Sequence, residues 1–139
     1  MKRHKVVIDT NALISFVTDR DLDQQNRIAE LFEKVANLEI LVLCPQNVLT
    51  EFVYVLENVY GLGLSVIKEM ITDFILMPGV EVVHELDLEI LFAYWPEKIP
   101  DYGDAIVASV CKARKGSKVA TFDREFKSAL KKLSIPSLY

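Results

Sequence analysis

A chain of 139 residues is short enough for one domain, and a hydrophobic content of 51% supplies a sizeable core, which excludes a disordered or fibrous class. No apolar run approaches the roughly 18 residues that a membrane span needs. Behind the basic start Met1-Lys2-Arg3-His4-Lys5, the apolar stretch Val6-Val7-Ile8 is stopped by Asp9, too soon for a secretory leader. The expectation is a cytoplasmic, single-domain protein over residues 1–139 with no membrane partner.

The net charge of −4 is unevenly placed: the window Lys112–Lys132 carries +6 and the remainder −10. Such a window reads either as solvated helix faces or as a phosphate-gripping edge beside an acidic site. Cys44 and Cys111 sit in apolar company; two thiols make neither a zinc ribbon nor a disulfide framework, so both read as buried hydrophobes.

In chain order, Lys5–Ile8 has the composition of a short buried strand, and Ala12–Thr18 that of a first helix after the stop Asp9-Thr10-Asn11. A polar break at Asp19–Asp23 leads into a second helix reaching Ala36, with Ile28, Leu31, Phe32 and Val35 on one face. Glu39–Cys44 is a second strand, and Pro45 fits the first turn of a third helix ending near Tyr60. Ser65 opens a fourth helix to about Leu76, and Pro78-Gly79 turns into a third strand, Val80–Val83. Asp87–Tyr94 is helical, Asp101 caps a long helix to about Lys115, and Gly116 stops it. Lys118–Phe122 is a fourth strand, Arg124–Leu133 the last helix, and Ile135–Leu138 a closing strand. Strands alternating with helices predict an α/β fold: a three-layer α/β/α sandwich around a mostly parallel sheet.

In such sheets the site lies beyond the carboxyl ends of the strands, near the point where strand order reverses. Asp9 and Asp123 each follow a strand and precede a helix, so both belong on that rim, although either also reads as a simple helix cap. On the third helix, Glu51 falls just outside the apolar stripe of Val48, Leu49, Phe52, Val55 and Leu56, whereas Glu57 points away from it. Asp101 and Asp104 fit a variant capping box, but Asp104 shares the face of Val107, Ala108 and Cys111 that must dock on the sheet. Acids converging on one rim need a cation, and oxygen-only ligation suits Mg²⁺ or Mn²⁺ rather than zinc. Such a site activates water against a phosphodiester without a protein nucleophile. His4 and His84 offer no material for a histidine mechanism.

Four segments, Val7-Ile8-Asp9-Thr10-Asn11-Ala12-Leu13-Ile14, Thr50-Glu51-Phe52, Asp101-Tyr102-Gly103-Asp104-Ala105-Ile106-Val107-Ala108 and Ala120-Thr121-Phe122-Asp123, together resemble the signature of the PIN-domain nucleases. The chain is similar in its bare length to the VapC-type toxins of toxin–antitoxin pairs. The resemblance implies an α/β/α sandwich and Mg²⁺- or Mn²⁺-dependent endoribonuclease activity on RNA such as tRNA or rRNA. It also implies dimerisation and inhibition by a small antitoxin protein. It assigns Asp9, Glu51, Asp104 and Asp123 to the metal-binding, catalytic quartet and Asn11 and Thr121 to supporting polar positions, with Asp101 competing for the third place. RNA rather than DNA rests on the resemblance alone.

Two rivals stand beside it. A receiver-like signalling domain would want paired acids after the first strand and an Asp after the third, where this chain has Val83-His84. A catalytically silent PIN-like module that only binds RNA or protein would keep the fold without turnover. Asp19, Asp21, Asp23 and Glu30 imitate a calcium loop but lack its glycine, Gln24 standing there instead.

Overall fold

The computed structural model describes residues 4–139; the basic Met1-Lys2-Arg3 lies outside them. The elements are β1 (His4–Ile8), α1 (Thr10–Val17), α2 (Leu22–Ala36), β2 (Ile40–Pro45), α3 (Gln46–Asn58), α4 (Leu64–Ile75), β3 (Val80–Val83), α5 (Leu88–Tyr94), α6 (Tyr102–Ala113), β4 (Ser117–Ala120), α7 (Arg124–Lys132) and β5 (Ser137–Leu138). The strands form one sheet in the order β3-β2-β1-β4-β5. Every pairing is parallel, so the sheet is wholly rather than mostly so.

The chain steps outward from β1 to β3, then crosses back to β4 and steps outward to β5. Right-handed crossovers put the helices of the two legs on opposite faces. The contacts agree: α1 packs on α2 and α3, and α3 on α4, while α5 packs on α6. Val7, Ile8, Val42, Leu43, Val119 and Ala120 are buried between the two layers, and among the described residues no large apolar side chain is exposed on the central strands. The reversal of strand order falls between β1 and β4. This topology also excludes the receiver-like reading, whose sheet runs 2-1-3-4-5.

Five helices begin with an aspartate whose side chain accepts a first-turn amide: Asp9, Asp21, Asp87, Asp101 and Asp123. Local chemistry moves several boundaries. Because Asp9 itself caps α1, the helix starts at Thr10 rather than Ala12. Pro45 closes β2 instead of entering α3: at ψ 144° it is still extended, paired with Val83. Gly63, not Ser65, precedes α4, and no side chain caps that helix. β4 ends at Ala120 because the Thr121 hydroxyl turns to accept the Asp123 amide at 3.1 Å. β5 is confined to Ser137–Leu138, and α6 ends at Ala113.

The basic window does not flank the strand-end rim. Lys112, Arg114 and Lys115 lie at the far end of α6, and Lys118 at the amino end of β4. Lys127, Lys131 and Lys132 lie along α7 as it runs back; of the eight bases only Arg124 starts at the rim. Among the described residues, no helix is long and apolar enough to cross a membrane.

Gly79 and Gly116 both hold positive φ, at 87° and 79°. At Gly79 an added Cβ would meet Val35 O at 2.6 Å and Ile40 O at 3.1 Å, whereas Gly116 faces open space. Gly116→Ala should therefore cost only the left-handed strain, roughly 1–2 kcal/mol. Gly79→Ala should cost distinctly more, and urea denaturation of the two variants measures the difference.

Candidate active site

Asp9 sits at the carboxyl end of β1, where its amide donates to Ala120 O of β4 at 3.3 Å. The junction of β1 and β4 thus fixes it on the rim. Its side chain is 4% exposed, and one oxygen accepts the Ala12 amide at 2.8 Å. Asp123 follows β4 and spends one oxygen on the Phe126 amide at 3.0 Å. Each aspartate caps a helix with one oxygen and lines the cleft at the rim. Asp101 caps α6 through the Asp104 amide at 2.8 Å, and the Asp104 carboxylate makes no hydrogen bond among the described residues.

Glu51 comes from α3 and is exposed, further from the core than its place beside the apolar stripe suggests. It still faces inward, because Thr10 Oγ1 donates to its Oε2 at 2.8 Å. All five acids, with Asn11, line one cleft of about 260 Å³. Thr121 is fully buried beneath it. The structure therefore brings together every residue singled out in the sequence.

It adds four that the sequence reading passed over. Thr10 anchors Glu51. Arg20, from the polar break after α1, reaches back into the cleft wall and donates to Asn11 O and Oδ1 and to Ser15 Oγ. Asn47 donates to Gly103 O at 3.4 Å, and its buried Oδ1 has no partner among the described residues. Gly103 leaves room for Glu51 Oε1, which a Cβ there would overlap.

The electrostatics follow from burial and crowding. Burial pushes Asp9 up to about 6; the Thr121 hydroxyl and Ala12 amide pull it down, while Asp123 and Glu51 push it further up. Asp104 is pushed up to about 7, first by desolvation and then by Asp101, Asp9, Asp123 and Glu51 in turn. Asp104 thus feels all four other acids.

The donor set suits a hard divalent cation: carboxylates free on one oxygen, plus the orphaned Asn47 Oδ1. Among the described residues no three Asp, Glu, His or Cys side chains are gathered into a finished cage. The histidines stand apart, His4 at the amino end of β1 and His84 after β3, both exposed. Cys44 and Cys111 are buried and unpaired, and burial pushes the Cys44 thiol up to about 12.

The comparisons with known proteins bear on the family and the fold. The PIN domain family model matches residues 6–132, and the chain belongs to that family. No curated protein sequence matches it. Among solved structures it is similar to the PIN domain endonuclease Utp24, at 19% identity and a TM-score of 0.54, over 97% of this chain and 85% of that one. It is also similar to PAE2754 from Pyrobaculum aerophilum, at 16% identity and a TM-score of 0.62, over 92% of this chain and 87% of that one. Both likenesses concern the fold.

Both raised carboxyls hold protons in the fold that the unfolded chain, near 3.8, releases. Their contribution to stability is full below about pH 4 and is lost as pH rises through about 7. In chelator the melting temperature should fall across that window. Asp104→Asn should flatten the fall and melt above the parent at about pH 8. A melting curve independent of both pH and this substitution would contradict the crowding.

Proposed function

We propose that this chain is a divalent-metal-dependent endoribonuclease, with Asp9, Glu51, Asp104 and Asp123 as its acidic quartet. The observation that carries the reading is the convergence of these acids on one cleft at the β1–β4 reversal, with Asp104 pushed to about 7 by the others. Asp9 and Asp123 come from strand ends with one oxygen fixed by a helix amide. Asp104 and Glu51 come from α6 and α3, the latter steered by Thr10. Bound Mg²⁺ or Mn²⁺ supplies a more acidic water and offsets charge on the phosphodiester. Thr121 and Asn11, the latter held by Arg20, support the acids in place. Asp101 caps α6, and Asp104 takes the third ligand place because its carboxylate makes no hydrogen bond among the described residues and feels all four other acids.

The finer reading is the toxin of a toxin–antitoxin pair, inhibited by a small antitoxin and dimeric on its own. An apolar groove of about 310 Å³ between α1, α3 and α4, lined by Leu13, Phe16, Phe52, Met70, Phe74 and Met77, supports a protein partner. The exposed Tyr54, Val59, Leu64 and Leu76 of α3, α4 and their ends support a second copy.

Purified protein freed of any partner should cut tRNA or rRNA only with Mg²⁺ or Mn²⁺, and matched DNA poorly. Either metal should raise the melting temperature. Products should carry a 5′-phosphate and 3′-hydroxyl, since water is the nucleophile; a 2′,3′-cyclic phosphate would overturn the mechanism. Asp9→Asn and Asp104→Asn should each lower cleavage about 100-fold or more. Asp101→Asn should keep much of the activity, because Asn still caps, and Asp101→Ala should mainly cost about 0.5–2 kcal/mol of stability. A dead Asp101→Asn beside an active Asp104→Asn would exchange the two assignments. Light scattering should find a dimer, and a monomer at high concentration would remove that part of the reading.

A further inference from the structure

Three aromatic rings run along the connection between α5 and α6. Phe92 lies 6.3 Å from Trp95 at 48°, and Trp95 meets Tyr102 edge to face at 4.9 Å and 73°. Trp95 is pinned by its indole N–H, which donates to Pro100 O at 3.0 Å. Phe92 and Tyr102 are nonetheless 53% and 43% exposed, more than packing within the fold requires. Tyr102 opens α6 between the cap Asp101 and the pair Gly103-Asp104, and all three of these neighbours line the acidic cleft.

We infer that Tyr102, braced by Trp95 and continued by Phe92, is a stacking platform for a base of single-stranded nucleic acid entering the cleft. The inference rests on the reading of the cleft as a nuclease site. Electrostatics favours it over a phosphate grip. The segments reaching this rim bring Arg20, Arg27, Lys98, Arg124 and Lys127 against five acids in the cleft, and of these Arg27 lies over the Phe122 and Tyr139 rings while Lys127 donates to Tyr139 O. Arg20 is already engaged with Asn11 and Ser15, and most of the basic window lies at the opposite pole. A polyanion beside such a cleft must draw affinity from its uncharged parts, and every base offers a face for stacking. The other aromatic pair near the rim cannot serve in this way. Phe122 and Tyr139 already stack on each other at 4.6 Å, with Arg27 over both rings.

Trp95, the sole tryptophan of the chain, reports on the platform. The Asp104→Asn protein is titrated with a labelled single-stranded oligoribonucleotide, following tryptophan emission and label anisotropy together. Emission should quench in step with binding. Adding Tyr102→Ala should weaken binding roughly 5- to 150-fold, Tyr102→Phe should restore it, and Phe92→Ala should weaken it less. A duplex of the same sequence should bind without the quench. Melting curves confirm that each variant is folded, and Tyr102→Phe keeps the brace against Trp95 in any case. Unchanged affinity in Tyr102→Ala overturns the inference, as does a shift in oligomeric state with affinity unchanged, which would assign the rings to a protein contact. Cleavage by the native protein is scored separately. Cleavage with Tyr102-independent binding removes only the platform, while a Tyr102-dependent quench without cleavage removes only the nuclease reading.

Discussion

The buried carboxylate of Asp9 is the constraint on which the rest of the structure turns. It is held at the sheet's reversal point by a backbone bond from β1 to β4, and it gives one oxygen to the Ala12 amide. Removing a charge from water costs several kcal/mol unless it is paired, and here two neighbours in the cleft carry the same sign. The helix amide and the Thr121 hydroxyl offset part of that cost, and burial with the neighbouring charges still holds the carboxyl up at about 6.

The parallel sheet explains the polarity of the whole molecule. Every strand points its carboxyl end at the same rim, and a helix that follows a strand starts there with its positive dipole end. Acids are stabilised in those first turns, as Asp101 and Asp104 on α6 and Asp123 and Glu125 on α7 illustrate. Bases are stabilised in the last turns, and Lys112 on α6 and Lys131 and Lys132 on α7 stand there. The basic window in the sequence is therefore the other end of the same arrangement. It needs no phosphate to account for it, and it is too far along the helices to hold one at the acids.

Much of this was legible because it is local. Apolar spacing located the helices, and the sequence marked Asp101 as a cap and Asp9 and Asp123 as alternative caps, three of the five aspartates that the structure shows capping helices. The four acids could be proposed from strand-end position and motif order. What was illegible is what depends on distant partners: Thr10 meets Glu51 across 41 residues, and Asn47 meets Gly103 across 56. Nothing near Arg20 shows that its side chain turns back onto Asn11. Helical phase placed Glu51 beside the apolar stripe, but only the neighbouring helix decides that an exposed glutamate still faces the cleft.

That neighbour is α1, through Thr10, while the contact between α6 and α3 sets the spacing of the site. The two helices lie in different layers and meet at the rim, where Asn47 reaches the Gly103 carbonyl and Glu51 fills the space a side chain at 103 would take. A glycine in a helix's first turn is unfavourable by propensity. Here it lets a carboxylate from one layer approach the backbone of the other, beside Asp101 and Asp104. The Asp-Tyr-Gly-Asp run thus joins three physical demands in one turn: a cap at Asp101, a gap at Gly103 and an acid at Asp104. Asn47 closes the same junction with one end of its amide and leaves the other end unpaired. The Thr10 hydroxyl draws Glu51 in among the aspartates, and the α3–α6 contact at this rim leaves the room it fills.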